Sequence, residues 1–168
     1  VTRIGSLVRD YFTCDMRGGN LEFHGNLGGH IMWHPDSRRI LAFAVSWSTI
    51  LGEFPKRAGA PRGNYGRLAE YDTRARKMRV LSPFPIRGGC HVSPAPDGKK
   101  VALDEINPDS TSILMFDYAA GKMKRLCRQN YRAPLEKVAG SRPIKQYNIN
   151  PHPVFDPGSR RIVFNACP

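Results

Sequence analysis

A motif that begins with histidine occurs three times in this chain, at equal intervals of 61 residues. The copies start at His30, His91 and His152, align without gaps and share the pattern H-x4-P-[DG]-[SG]-[KR]-[KR]-[IV]. The Pro-Asp-Ser, Pro-Asp-Gly and Pro-Gly-Ser triplets predict tight turns, because Pro fixes φ while Gly and Asp tolerate unusual dihedral angles. The β-rich apolar runs that follow the turns cover residues 40–45, 101–103 and 162–164. Each copy therefore predicts a β-hairpin.

A second pattern alternates with the first along the chain. RLAEYDTRARKMRVL begins at Arg67 and SILMFDYAAGKMKRL begins at Ser112, and they align with Asp72 over Asp117. A weaker copy, DYFTCDMRGGNLEF, begins at Asp10. Each copy predicts a strand that ends in Asp, a short turn and a second strand. The alternation of the two hairpins, three times over, predicts about twelve strands and no helix.

Two hairpins in a period of about 60 residues are typical of a four-stranded propeller blade. A β-sandwich is the alternative, but a sandwich has no need of matching turn triplets at equal spacing. The predicted fold class is therefore all-β, with residues 1–168 forming a partial β-propeller of four-stranded antiparallel blades. Since propellers have about four to eight blades, about three blades' worth of strands predict an incomplete ring. The remaining blades of a longer chain, or another copy, are the expected partners.

The charge of the chain is strongly basic, with 26 Lys and Arg against 14 Asp and Glu and a net charge of +12. This balance favours a polyanionic partner, unless the charges only solvate turns. Nucleic acid is not the expected partner, because the basic pairs occupy repeated turn positions and are predicted to be surface residues. These pairs are Arg38 and Arg39, Lys99 and Lys100, and Arg160 and Arg161.

Other features of the composition set limits on the protein class. No apolar run approaches the roughly 20 residues that a membrane span needs. The four cysteines have no CxxC spacing and are predicted to be buried free thiols. The compartment, cytoplasmic or periplasmic, stays open. Phosphate-loop, dinucleotide-binding, serine hydrolase and zinc peptidase motifs are absent from the sequence.

The three leading histidines are the strongest candidates for a functional site. The first strand of a propeller blade lines the central channel, so equivalent residues of neighbouring blades converge at one end of it. Three converging imidazoles suit metal binding or proton transfer, although a structural histidine that hydrogen-bonds the next blade is the alternative. His24 and His34 lie outside the repeat and are predicted to be surface or packing residues. Trp33 and Phe155 are equivalent positions and predict inter-blade core.

The blade start, Pro-Asp-Gly followed by two basic residues and Ile or Val, resembles the TolB-type, WD40-like propeller repeat over nearly the whole chain. Propellers of this type include binding scaffolds, peptidase gating domains and enzymes. The leading histidine and the long period are most similar to the oligogalacturonate lyase family. This resemblance implies a seven-bladed enzyme that cleaves pectic oligosaccharides by β-elimination, with manganese held by three histidines and a glutamine.

The family's Gln…His-Pro-His metal motif is matched here by QYNINPHPVF. By this resemblance His152 is a metal ligand, Gln146 is the glutamine ligand, and Asn150 stands where the family has another histidine. His91 corresponds to the third metal histidine and His30 to the catalytic base. Asn offers a carbonyl oxygen, which suits a hard cation better than a transition metal.

β-Elimination on a uronate needs a base for the proton beside the carboxylate and a cation for the charge that builds up. The candidates for contact with the substrate carboxylate each precede a leading histidine by a few residues: Arg87, Arg142 and Lys145. The first functional hypothesis is therefore metal-assisted β-elimination on an acidic oligosaccharide. The alternatives are a non-catalytic TolB-like propeller that binds a protein or cell-envelope partner, and the propeller domain of a larger peptidase.

Overall fold

The computed structural model of the chain describes residues 11–25, 27, 29–45, 65–88, 91–107, 109–130 and 150–166. The two long connections predicted at residues 46–64 and 131–149 lie outside this part. The described residues form thirteen strands and no helix: β1 (Tyr11–Thr13), β2 (Glu22–Gly25), β3 (Gly29–Trp33), β4 (Arg39–Val45), β5 (Tyr65–Asp72), β6 (Lys77–Val80), β7 (Ile86–Arg87), β8 (Val92–Pro94), β9 (Lys100–Ile106), β10 (Ser110–Asp117), β11 (Lys122–Asn130), β12 (Val154–Phe155) and β13 (Ile162–Val163). A membrane-spanning helix is accordingly not found among them.

The strands form two complete blades between two half-blades. The first full blade has the order β3-β4-β5-β6, with β7 also paired to β5, and the second full blade has the order β8-β9-β10-β11. All their described pairings are antiparallel. Separate hairpins, β1–β2 and β12–β13, form the first and last half-blades. The all-β prediction and the incomplete ring are confirmed.

The turn of the histidine-led hairpin has the same backbone geometry in all three copies. Its third triplet residue has a positive φ: 54° at Ser37, 69° at Gly98 and 57° at Ser159. The sequence assigned the unusual dihedral to Gly and Asp, which is correct only at Gly98. Asp36 instead accepts hydrogen bonds from the backbone N–H groups of Arg38 and Arg39, both at 3.0 Å. A Cβ at Gly98 would lie 3.0 Å from the His34 ring, so this copy also needs a small residue.

The aligned aspartates of the second hairpin close its turn through their side chains. Asp72 Oδ1 accepts the backbone N–H groups of Arg74 and Ala75, both at 3.0 Å. Asp117 Oδ1 accepts those of Ala119 and Ala120 at 2.9 and 3.1 Å. Each Asp side chain therefore accepts hydrogen bonds from backbone N–H groups of the turn, which have no partner in a neighbouring strand. The equivalent Asp15 accepts two backbone N–H groups as well.

Neighbouring blades pack through alternating residues of their strands. On β4, Leu41 and Phe43 join a core cluster with residues of the second full blade, while Ile40 and Ala42 pack with Tyr11 of the first half-blade. The equivalent strand β9 repeats this division, because Val101 and Leu103 face the first full blade. On its other face, Ala102 packs against Phe155 and Ile162 of the last half-blade. Each blade is therefore buried on two sides by two different neighbours.

A polar contact also joins the two full blades. Arg39 Nη1 lies 3.0 Å from Glu70 Oε2, and the Tyr118 hydroxyl donates to the same carboxylate oxygen at 2.9 Å. Burial raises the pKa of Tyr118, and the Glu70 charge raises it further. The prediction of a surface turn residue is therefore correct for Arg38, which is 49% exposed, but incomplete for Arg39. Arg39 also lies over the Tyr118 ring, 5.2 Å from its centroid.

Two predictions about buried side chains are corrected. Phe155 is buried at 9% exposure, but Trp33 at the equivalent position is 49% exposed. The reason is that Phe155 faces a full blade, whereas Trp33 faces the first half-blade. Cys14 is exposed and Cys127 is partly buried, so the prediction of buried thiols is wrong for Cys14; the other two cysteines lie outside the described residues.

The two histidines outside the repeat are packing residues, as predicted. His24 and His34 are each 3% exposed. The Nε2 atom of His34 lies 3.1 Å from the carbonyl oxygen of Gly98, on the next blade. His24 packs edge-on against the Tyr71 ring at a centroid distance of 5.5 Å. Neither belongs to the channel-lining cluster described below.

The inter-blade core generates a stability prediction. Leu103 is fully buried between the full blades, so Leu103→Ala is expected to lower the free energy of unfolding by about 2–5 kcal/mol. Leu126, which is 42% exposed on β11, provides the control, and Leu126→Ala is expected to cost about 0.5 kcal/mol or less. Urea unfolding at one protein concentration, followed by circular dichroism, measures both. Equal losses in the two variants would contradict this description of the core.

Candidate functional site

The three leading histidines are positioned at the starts of the innermost strands of successive blades. His30 lies in β3, His91 directly precedes β8, and His152 lies two residues before β12. The ring centroids of His30 and His91 are 4.5 Å apart, and those of His91 and His152 are 3.5 Å apart. Equal register in neighbouring blades thus brings together imidazoles that are 61 residues apart in sequence. We call these three residues the histidine cluster.

The backbone at two members of the cluster adopts a conformation that is uncommon for non-glycine residues. The φ angle is 51° at His30 and 47° at His152, both in the left-handed region. Such conformations concentrate at binding and catalytic positions, where the surrounding structure holds them. Here the conformation accompanies the turn of the chain into the channel-lining strand.

A buried carboxylate contacts two members of the histidine cluster. Asp104, on β9, is fully buried. Its Oδ1 accepts the backbone N–H of His91 at 2.7 Å, and its Oδ2 lies 2.8 Å from His91 Nδ1. The same Oδ2 accepts the backbone N–H of His152 at 3.2 Å. One side chain therefore positions two neighbouring blades at the mouth of the channel.

The contact with Asp104 determines which ring nitrogen of His91 is available for chemistry. When Asp104 is ionised its oxygens only accept hydrogen bonds, so this contact selects the His91 tautomer that carries its proton on Nδ1. Nε2 is then the nitrogen left for a proton, a ligand or a metal, as in carboxylate–histidine pairs at enzyme and metal sites. The side chain of His91 is 17% exposed, which leaves a narrow approach from the channel.

Sequence reasoning missed Asp104. The residue directly follows the apolar run of residues 101–103, and the equivalent positions of the other two copies hold Phe43 and Asn165. A carboxylate where another copy has Phe was the available signal, because a buried charge needs a specific partner. The partner itself becomes visible only through the pairing of β8 with β9.

The remaining predicted site residues are placed differently. Arg87, on β7, lies with its guanidinium carbon 5.9 Å from the centroid of the Tyr65 ring. Asn150 is exposed, and its backbone carbonyl oxygen accepts a hydrogen bond from the side-chain amide of Asn165 at 3.3 Å. Arg142, Lys145 and Gln146 lie outside the described residues. The substrate-binding and metal-binding roles of all these residues stay predictions.

The predicted metal is only partly matched by the described side chains. Imidazole nitrogens suit zinc, copper, iron and nickel, whereas manganese prefers oxygen ligands. The contact between Asp104 and His91 is the support that a ligating histidine usually has. Within the part of the chain that the structure describes, however, no three His, Cys, Asp or Glu side chains are arranged to hold a metal ion. The rings of His91 and His152 are inclined by only 32°, so they lie nearly stacked.

Comparisons with known proteins give the fold and nothing finer. No protein-family model matches the chain, and no curated protein matches it in sequence. Among solved structures, the chain is similar to TolB from Acinetobacter baumannii, with a TM-score of 0.59 and 15% identity over 92% of this chain and 31% of that one. It is less similar to a dipeptidyl aminopeptidase IV described as putative, from Bacteroides ovatus, with a TM-score of 0.39 and 10% identity over 66% of this chain and 18% of that one.

The chain thus spans less than a third of the length of the TolB structure that it matches. At 15% identity the likeness concerns the arrangement of blades and carries no statement about activity. It agrees with the two full blades and two half-blades described above. In fold, the chain is therefore an incomplete β-propeller of the TolB type.

Proposed function

We propose that the histidine cluster is the acid–base site of a propeller that cleaves acidic, uronate-containing oligosaccharides by metal-assisted β-elimination. The observation that carries this proposal is the convergence of His30, His91 and His152 over the buried Asp104. A purely structural histidine would need only one hydrogen bond to the next blade. The cluster instead brings three imidazoles together beside a carboxylate that contacts one ring nitrogen of the central imidazole.

His30 is the base in this proposal, because it corresponds to the base of the family that the sequence resembles and is exposed at one end of the cluster. Its ring is exposed and lies 4.5 Å from that of His91, at an interplanar angle of 70°. A neutral imidazole there removes the proton beside the substrate carboxylate, the bond from the β-carbon to the glycosidic oxygen breaks as the C=C bond forms, and the leaving oxygen takes a proton from the imidazolium or from water. His91, held through Nδ1 by Asp104, keeps the reacting ring in place. A positioned base of this kind contributes about 10²–10⁴-fold to a rate.

The charge that develops on the uronate carboxylate needs a cation. Arg87 is the described candidate, and a guanidinium offers a planar, bidentate fork to a carboxylate. The net charge of +12 favours the approach of a polyanionic chain. A divalent metal, manganese by resemblance, would supply further stabilisation of this charge, with His91, His152, Asn150 and Gln146 as its proposed ligands.

One prediction for the proposed site concerns the base. In the complete propeller, His30→Gln is expected to reduce the rate of β-elimination by about 100-fold or more, since the base is lost, while binding of the oligosaccharide is retained. The unsaturated uronate product is followed by its ultraviolet absorbance, and binding is measured by calorimetry. Unchanged turnover in His30→Gln would remove His30 from the mechanism.

The same assay distinguishes the enzyme from a binding propeller. Manganese is added in one series and a chelator in another, and His152→Gln is compared with the natural protein. Loss of bound metal in His152→Gln supports the ligand assignment. If the complete protein binds uronate oligomers but forms no unsaturated product under any of these conditions, the protein is a non-catalytic binding propeller.

A second prediction concerns the buried carboxylate. Asp104→Asn is expected to lower activity by about 10–100-fold, the usual loss for a residue that orients a functional histidine. Asp97→Asn, in an exposed turn, is the control and is expected to leave activity unchanged. Nitrogen-15 NMR of the imidazoles gives a readout independent of substrate. The Nδ1–H tautomer of His91 is expected to lose its dominance in Asp104→Asn, and its persistence would contradict the positioning role.

A further inference from the structure

The arginine on β7 is bound by an aromatic ring and not by an acidic residue. Arg39, Arg79 and Arg125 each lie within ion-pair distance of a carboxylate. For Arg87 the described contact is with the ring of Tyr65, and no carboxylate of the described residues forms an ion pair with it. A guanidinium is always charged, so Arg87 is a partly buried cation whose charge these residues do not neutralise.

Tyr65 and Arg87 lie at the same end of the first full blade as His30. Gly29, directly before His30, pairs with Phe43 near the end of β4. β5 runs antiparallel to β4 and therefore begins at this end, with Tyr65 as its first residue. Tyr65 pairs directly with Arg87 of β7. The pair is thus placed beyond the row of strands that positions the histidine cluster.

The connection from β7 to the histidine cluster is short and tightly packed. His91 is four residues after Arg87, so their Cα atoms are at most about 14 Å apart. Between them, Gly88 has a φ of 96°, and a Cβ there would lie 2.7 Å from the Cβ of Ile106. Ile106 is on β9, two residues after Asp104, the partner of His91. The same strand therefore supports both the cluster and the chain that follows Arg87.

The pairing of β7 with β5 determines where the Arg87 side chain lies. Ile86 is fully buried in the core between the full blades, and successive residues of a strand project to opposite faces. Arg87 is therefore on the face away from this core, beside Tyr65. Its guanidinium carbon lies over the Tyr65 ring, 5.9 Å from the centroid, within the range of about 6 Å for a cation–π contact. Both residues stay partly exposed.

A second arginine–tyrosine pair in this chain shows how a guanidinium over a ring binds carboxylates. Arg39 lies over the Tyr118 ring at 5.2 Å from its centroid. Its Nε lies 2.6 Å from Asp36 Oδ2, and its Nη1 lies 3.0 Å from Glu70 Oε2. All donors of a guanidinium lie in its plane, so a ring can cover its flat face while the edge binds acids. Arg87 has the same kind of ring contact without those acids among the described residues.

We infer that Tyr65 is a positioning residue that holds Arg87 for a carboxylate of the uronate substrate, so that this pair selects acidic oligosaccharides over uncharged ones. The inference rests on the proposed function and names the residues that determine its charge selectivity. The ring restricts the long side chain of Arg87, so less conformational entropy is lost when a carboxylate binds. An uncharged sugar cannot form the bidentate ion pair and gains nothing from this arrangement.

Removing the ring tests the positioning role, with Tyr65→Phe as the matched control for Tyr65→Leu. In the complete propeller, Tyr65→Leu is expected to raise the Kd for a uronate oligomer about three- to tenfold, because the cation–π contact is lost. Tyr65→Phe keeps the ring and is expected to keep the natural affinity. Calorimetry is repeated with the methyl-esterified oligomer, which has no carboxylate charge and is expected to bind all three proteins equally. An equal loss for both oligomers in Tyr65→Leu would reveal a purely structural role and overturn the inference.

A double-mutant cycle shows whether Tyr65 acts through Arg87. Arg87→Gln is expected to weaken binding of the acidic oligomer at least as much as Tyr65→Leu, and the double variant is expected to bind no more weakly than Arg87→Gln. Additive losses would mean that Tyr65 contacts the sugar itself, which contradicts the positioning role. The outcome is separate from that of the product assay. Coupling without any unsaturated product removes the proposed catalysis alone, and turnover that Tyr65→Leu leaves unchanged removes this inference alone.

Discussion

Both faces of a propeller blade are apolar, so a blade is buried only when a neighbouring blade covers each face. Ile40 and Leu41 are adjacent in β4, and they are 2% and 0% exposed because different neighbours cover them. The half-blades have a neighbour on one side only among the described residues. Trp33, which faces the first half-blade, is 49% exposed, and Val163, on the last half-blade, is 70% exposed. Equivalent apolar side chains are therefore buried or exposed according to whether a neighbouring blade packs against them.

The repeat predicted the strands well because the information for them is local. Turn residues and alternating apolar positions repeat at equal spacing, and the hairpins at His30, His91, His152, Arg67 and Ser112 follow from them. The failures have non-local causes. The exposure of Trp33 depends on the neighbouring half-blade, of which the structure describes only β1 and β2. The burial of Arg39 depends on Glu70, in a neighbouring strand, and on Tyr118, in the next blade. Neither fact is visible in the window of sequence around the residue.

In the candidate site, too, some residues could be predicted from the repeat and others could not. The three histidines come together because equivalent residues of successive blades meet at one end of the channel, so the repeat alone indicates them. Asp104 departs from the repeat, since Phe43 and Asn165 occupy the equivalent positions. Its role depends on the pairing of β8 with β9 and on the approach of His152 from the last half-blade. Residues that depart from a repeat are therefore the ones to examine when a repeat protein has acquired a site.

The order of the histidine cluster follows the order of the blades. His91 has a histidine of a neighbouring blade on either side, and His30 and His152 are the two ends of the cluster among the described residues. Asp104 contacts both the ring of His91 and the backbone N–H of His152. The carboxylate that orients the central imidazole therefore also fixes the position of the next blade, so the geometry of the site depends on how these two blades pack.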